Sequence, residues 1–322
     1  MIHLMLSADL WFRTLQASTT LLFVALGGYL ALRGGVLLLG LEGQLLLGCL
    51  AAVACAERTG NVWLGILGGI AGALAVGLMV TVAVVLLGAN DVVTGLAVNT
   101  AAAGAAGMIL QGMYGHRGGI SSPDLQPLPT VSLPGVDRIP WLGHVLSDQT
   151  VLTYVGWVVV AFAAWWIVST VGGLNLRVAG LRGEMLARDG RSAVRVRCLA
   201  TLAGSVCVGL GAVQLSLGEA VGFQEDMGGG RGFIALVLTF LAATRLWLLV
   251  PLAVCFAWFE ALGLGVQSVG LPAELSAVIP YLAVFGFLLL SRLSARRTVT
   301  VPSAPTAATA PPGTPAREPV GS

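Results

Sequence analysis

The stretch GGVLLLGLEGQLLLG, from Gly34 to Gly48, holds five glycines, one carboxylate at Glu42 and otherwise almost nothing but leucine, with Arg33 directly ahead of it. What the glutamate does there depends on the solvent around it. The chain of 322 residues is 57% hydrophobic and 10% charged, against about 25% charged residues in a typical soluble domain. This is the composition of a membrane protein.

Apolar segments recur from Leu10 to Leu32, Val36 to Ala56, Val62 to Leu87, Val92 to Leu110, Val151 to Val171, Cys198 to Leu217, Phe233 to Ala243, Leu246 to Val266 and Leu275 to Leu290. Most reach the ~20 residues that cross ~30 Å of hydrocarbon. The segment from Phe233 to Ala243 is too short and reads as half of a broken or re-entrant helix, a form confined to backbone buried in protein or facing a cavity. The alternating ~10-residue segments of a strand-built barrel are absent. The expected fold is all-α: a polytopic transmembrane helical bundle of about 8–10 membrane segments, one of them broken or re-entrant.

All 17 basic residues are arginine, and Arg177, Arg182, Arg188, Arg191, Arg195 and Arg197 fall in one short connection. The positive-inside rule makes that connection cytoplasmic. Arg292, Arg296 and Arg297 follow the last span and put the C-terminus inside as well. Counting back, the connection from Gln111 to Thr150 faces out, and five spans leave Met1 outside. The N-terminus lacks the basic region and cleavage site of a signal peptide, so the first segment reads as a retained span. The expected organisation is a transmembrane domain over residues 1–298 and a disordered Pro/Ala/Thr-rich cytoplasmic tail over 299–322.

Several chemistries are excluded. Without a lysine the chain has no Walker A phosphate loop. His3, His116 and His144 are scattered and form no zinc set, and no G-x-S-x-G turn exposes a serine. The cysteines, at 49, 55, 198, 207 and 255, show no C-x-x-C spacing and read as small core residues. No metal, cofactor, catalytic residue or nucleic-acid partner is implied. The partner that composition does imply is the lipid bilayer.

A carboxylate near mid-membrane costs at least ~2.5 kcal/mol on insertion scales. Glu42 therefore either holds a helix break through hydrogen bonds or contacts a transported solute. The surrounding glycines permit either close helix packing or such a break. Asn90, Thr94 and Asn99, spaced by four and five residues, fall on one side of a helix and suit interhelical hydrogen bonds or a polar path. Glu219, Glu225, Asp226 and Arg231 lie in a glycine-rich turn before the short apolar segment, where Arg231 with Glu225 or Asp226 suits a clamp or a gate. Glu260 reads as a packing or interface charge. The pairs Gly65/Gly69 and Gly68/Gly72 form small-xxx-small faces for close packing. The polar outer connection, with five prolines, suits either a disordered loop or a surface that receives a partner.

The run from Ala25 to Val53, ALGGYLALRGGVLLLGLEGQLLLGCLAAV, resembles the first block of the bacterial ABC importer permeases for nucleosides and simple sugars. Further blocks agree in order and spacing: ANDVVTGLAVN (Ala89 to Asn99), GEMLARDGRSAVRVR (Gly183 to Arg197), SLGEAVGFQEDMGGGRGFIAL (Ser216 to Leu236) and FEALGLGVQSVGLPAELSAVIPYL (Phe259 to Leu282). Leu38, Arg182-Gly183 and Arg245-Leu246 depart from the family pattern. The resemblance covers roughly Thr14 to Leu290 and implies a permease subunit that hydrolyses nothing itself. It further implies a cytoplasmic ABC ATPase, a second permease subunit and an extracellular solute-binding lipoprotein as partners. The ATPase would dock on a coupling segment at about 175–197, where Leu181, Met185 and Leu186 supply an apolar spot and Glu184 and Arg188 form an i,i+4 pair. The alternative, an ion- or proton-coupled secondary transporter, would need its site among Glu42, Glu219 and Glu260, together with inverted repeats. None is evident in the sequence.

Overall fold

The computed structural model describes residues 8–115, 118–121, 125–132, 143, 145–188, 191–243, 245–267 and 286. Contacts divide the chain into two units, Met1–Val284 and Phe285–Ser322. The helices of the first unit are α1 (Ala8–Arg33), α2 (Leu41–Thr59), α3 (Val62–Val80, continuing as a π-helix over Thr81–Leu86), α4 (Asp91–Tyr114), α5 (Val151–Ser169), α6 (Val171–Arg188), α7 (Ala193–Val213, continuing as a π-helix over Gln214–Glu219), α8 (Arg231–Leu241) and α9 (Leu249–Gln267). Among the described residues, two-residue strands and a short 3-10 helix at Leu246–Leu248 accompany them. The fold is an all-α polytopic bundle.

Among the described residues, six helices are long and apolar enough to cross a membrane: Ala8–Arg33, Val62–Leu86, Asp91–Tyr114, Val151–Ser169, Ala193–Glu219 and Leu246–Gly263. α2 adds 19 mostly buried residues. α8 has 11 residues, as expected of a half-helix. Except for Gly286, the segment from Leu275 to Leu290 lies outside the described residues, as does the tail.

α1 is the central post. It is buried on every side from Ala17 to Tyr29 and packs against α7, α8 and α9. Between helices in lipid there is no hydrophobic drive to associate, so close backbone approach supplies the attraction. α1 and α7 cross at Gly27 and Gly204, where a Cβ on either would press on the carbonyl of the other. Gly65 and Gly69 set α3 against Ala56 and Ala52 of α2 on one side and Leu217 and Val213 on the other, while Gly68 and Gly72 sit against Cys55 and Ala51. Both small-residue faces are thus occupied.

The connection between α4 and α5 is tied down wherever it is described. β1 (Gly119–Ile120) pairs antiparallel with β4 (Phe223–Gln224), and β2 (Thr130–Val131) with β3 (Gln149–Thr150). Leu125 and Leu128 are buried, and the Leu128 N–H donates to the Leu217 carbonyl at 3.1 Å. Leucines inside a proline-rich polar stretch are the reason: they give this connection its own apolar anchors.

Gly204→Leu should displace α1 from α7, an overpacking worth about 1–3 kcal/mol. Gly104→Leu, whose Cβ meets nothing within 4 Å, should leave folding intact. Size-exclusion profiles and melting temperatures in detergent are the check.

Candidate functional site

The glycines after Arg33 end α1 and begin a break. Gly34, Gly35 (φ +85) and Val36 close the helix end through bonds to the carbonyls of Leu30, Leu32 and Ala31. Val36 to Leu38 then run without helix or strand structure, and α2 begins at Leu41. Such a break leaves backbone groups needing partners. The Leu37 N–H donates to Asp91 Oδ2 at 2.7 Å. Asn99 serves two more: its Nδ2 donates to the Leu39 carbonyl at 3.0 Å and its Oδ1 accepts from the Gly43 N–H at 2.8 Å.

Glu42, in the first turn of α2, reaches across to the start of α8. Its Oε1 accepts from the Gly230 N–H at 3.0 Å and its Oε2 from the Gly232 N–H at 2.6 Å. The first N–H groups of a helix have no intrahelical partner and carry partial positive charge. Glu42 therefore lies at two helix N-termini at once. The run Gly228 to Gly232 is glycine-rich for a steric reason: a Cβ at Gly228 or Gly232 would collide with Glu42.

Arg231, the first residue of α8, is enclosed by carboxylates. Its Nε donates to Glu260 Oε1 at 2.8 Å, and its Nη2 lies 3.6 Å from Glu219 Oε2. The Thr20 hydroxyl donates to Glu219 Oε1. This corrects the expected pairing of Arg231 with Glu225 or Asp226. Those two residues are exposed, and Glu225 instead accepts from the Gly118 N–H at 3.4 Å. Of the two expected roles of Glu260, packing or interface charge, the structure shows the first, as a partner of Arg231. At the far end of α8, the Thr239 hydroxyl donates to the Ala25 carbonyl at 3.0 Å.

A cavity of about 740 Å³ lies over this network, lined among others by Arg13, Gln16, Glu219, Glu225, Arg231 and Glu260. The structure thus brings Glu42, Glu225 and Arg231 to one region and Asn99 to the adjoining break. Asn90 does not share a helix face with Asn99. It is the N-cap of α4, exposed, and accepts from the Val92 and Val93 N–H groups at 3.0 and 3.2 Å. Thr94 is half-buried one turn along.

The coupling-segment residues also separate. Leu181 (83% exposed) and Met185 (47%) present an apolar spot on α6, with Glu184 exposed beside them, whereas Leu186 is 3% exposed and anchors the helix inward. Arg188 ends α6. Sequence reasoning did not single out Asp91, and it left Thr20 aside. An acidic residue directly after the cap Asn90 is the usual helix-start signal, which masked the bond of Asp91 to the break.

Discontinuous helices whose ends converge on buried charge, inside a polytopic bundle, define the architecture of a membrane transport protein. The chain matches the family described as branched-chain amino acid transport system / permease component over residues 10–288, and it belongs to that family. It is 29% identical over 275 residues to a putative glucose ABC transporter permease protein, TsgC13, of Haloferax volcanii, covering 84% of this chain and 82% of the relative. It is 28% identical to the guanosine ABC transporter permease protein NupQ of Bacillus subtilis, covering 69% and 72%. It is 30% identical to the nucleoside ABC transporter permease protein NupC of Lactococcus lactis subsp. cremoris, covering 68% and 70%. No solved structure matches.

Glu42→Leu leaves two buried N–H groups unpaired, at about 1–3 kcal/mol each, and should abolish recovery of folded protein. Glu42→Gln keeps one acceptor and should fold with a lowered melting temperature. Arg231→Met strands Glu219 and Glu260, a loss of about 3–5 kcal/mol. Adding Glu260→Leu should recover part of it, which a double-mutant cycle measures.

Proposed function

We propose that this chain is the membrane-spanning permease subunit of an ATP-driven importer for nucleosides or related simple sugars. The observation that carries the reading is the half-helix α8, with its N-terminus held by Glu42 beneath a polar cavity, in a chain that matches a permease family along almost its whole described length. The names of the relatives support the solute class. The chain lacks a nucleotide-binding loop of its own, so the driving reaction belongs to a separate cytoplasmic ABC ATPase. That ATPase docks on the apolar spot at Leu181 and Met185, within a coupling segment at about 175–197. A solute-binding lipoprotein delivers solute to the outer face, where the connection 111–150 lies. A second permease subunit completes the path. Residues 1–298 form the permease domain and 299–322 a cytoplasmic tail, in a multi-pass protein of the cell membrane with its C-terminus inside.

The test is reconstitution. Proteoliposomes carrying this chain with its ATPase and second permease should accumulate labelled nucleoside when binding protein and ATP are supplied, and not when the ATPase is omitted. Uptake driven by a pH gradient without the ATPase would overturn the reading. Met185→Asp places a charge in the dry docking contact and should abolish co-purification of the ATPase while leaving membrane insertion unchanged.

A further inference from the structure

Two helices of the bundle end in the same unusual way. α3 widens into a π-helix at Thr81–Leu86 and α7 into another at Gln214–Glu219. The first closes with Leu87 N–H to the Val82 carbonyl at 3.0 Å and Ala89 N–H to the Ala83 carbonyl at 2.9 Å. The second closes with Ala220 N–H to the Leu215 carbonyl at 3.1 Å and Gly222 N–H to the Ser216 carbonyl at 2.9 Å. A left-handed residue follows each, Gly88 at φ +72 and Val221 at φ +46. Every one of these second-site residues lies 133 positions after its counterpart.

The two helices pack antiparallel: Gly65, Gly69 and Gly77 of α3 meet Leu217, Val213 and Ser205 respectively. The π-turns therefore occupy opposite ends of one packed pair, related by an approximate two-fold axis. Each leads into one of the discontinuities. The first runs into Asp91, which holds the break before α2. The second contains Glu219, which holds Arg231 at the start of α8 and lines the cavity.

A π-turn carries one more residue per turn than the α-helix around it, and such turns recur at functional sites. Reverting to α geometry would swing the residues beyond it around the axis by about 100°. Both turns also lie near polar groups without partners. Gln44 and Gln214 are 0% exposed, yet both amide atoms of Gln44 and the Nε2 of Gln214 have no hydrogen-bond partner. Gln44 lies against Gly77, one turn before the first π-segment. The Gln214 amide folds over Gly218, where a Cβ would come within 3.0–3.1 Å of it. Val221 holds a backbone conformation that β-branched residues rarely adopt. An unpaired amide near each turn and a strained valine after the second mark elements built for a second arrangement.

We propose that the π-turns at 81–89 and 214–222 are paired hinges that change helical register reciprocally. In the described conformation the 214–222 end opens onto the cavity. In the other, Glu219 turns away from Arg231, the buried glutamines gain partners and the 81–89 end opens. The proposal rests on the transport reading, because reciprocal opening at opposite ends of one helix pair is what moves a solute across.

The test is hydrogen–deuterium exchange on the intact importer in nanodiscs, with and without ATP and vanadate, run beside ATP-dependent uptake. Peptides covering 81–89 and 214–222 should change exchange rate several-fold in opposite directions, with the core of α1 unchanged. Absence of uptake would count against the transport reading. Uptake with no change at either turn, or with changes of the same sign, would overturn the hinges alone. Val221→Gly relieves the left-handed strain and is expected to fold. It should slow exchange at 214–222, speed it at the remote 81–89 turn and lower uptake several-fold. An effect confined to 214–222 would also overturn the coupling.

Discussion

The meeting of α2 with α8 depends on one carboxylate. Glu42 can stay inside an apolar bundle because two helix N-termini meet it, that of α2 from its own chain segment and that of α8 from nearly two hundred residues away. Oriented peptide dipoles and two donated N–H bonds replace the water the group gave up. The exchange works both ways. An 11-residue helix with its first N–H groups unsatisfied could not sit in such a place, so α8 exists as a half-helix because Glu42 is there to end it.

The charges beside it follow the same logic with less symmetry. Arg231 starts α8 where the dipole is unfavourable to a cation, and Glu219 and Glu260 offset that cost by enclosing it. Thr20 fixes Glu219 from α1. Four elements are thereby pinned to the cavity floor: α1, the end of α7, α8 and α9. The packing glycines at Gly27 and Gly204 set how near α1 and α7 stand, and the ion pairs tie the end of α7 to α8 and α9.

Much of this was legible in the sequence. Apolar run lengths located α1, α3, α4, α5, α7 and α9 because a bilayer tolerates little else, and the shortness of the Phe233 segment exposed the half-helix. The oddity of a glutamate among leucines pointed to the break. Partners across the fold were not legible. Arg231 stands five or six residues from Glu225 and Asp226 in sequence, yet the turn of four glycines from Gly228 to Gly232 points its side chain toward Glu219 and Glu260. The likeness of the two π-ends was hidden as well. TVAVVL and QLSLGE share a backbone path but almost no side chains, and a backbone repeat of that kind leaves no imprint in composition.

The place where α6 meets the break has a mechanical consequence. Gly180 rests on the carbonyl of Arg33 and beside Gly35, backbone against backbone, with no side chain between. Side chains are the compliant part of a helix contact: they change rotamer and absorb small displacements. A joint without them is rigid. Any shift of α6 passes undamped into the residues just ahead of Glu42, and a methyl group added at Gly180 would act as a wedge, holding the joint permanently apart.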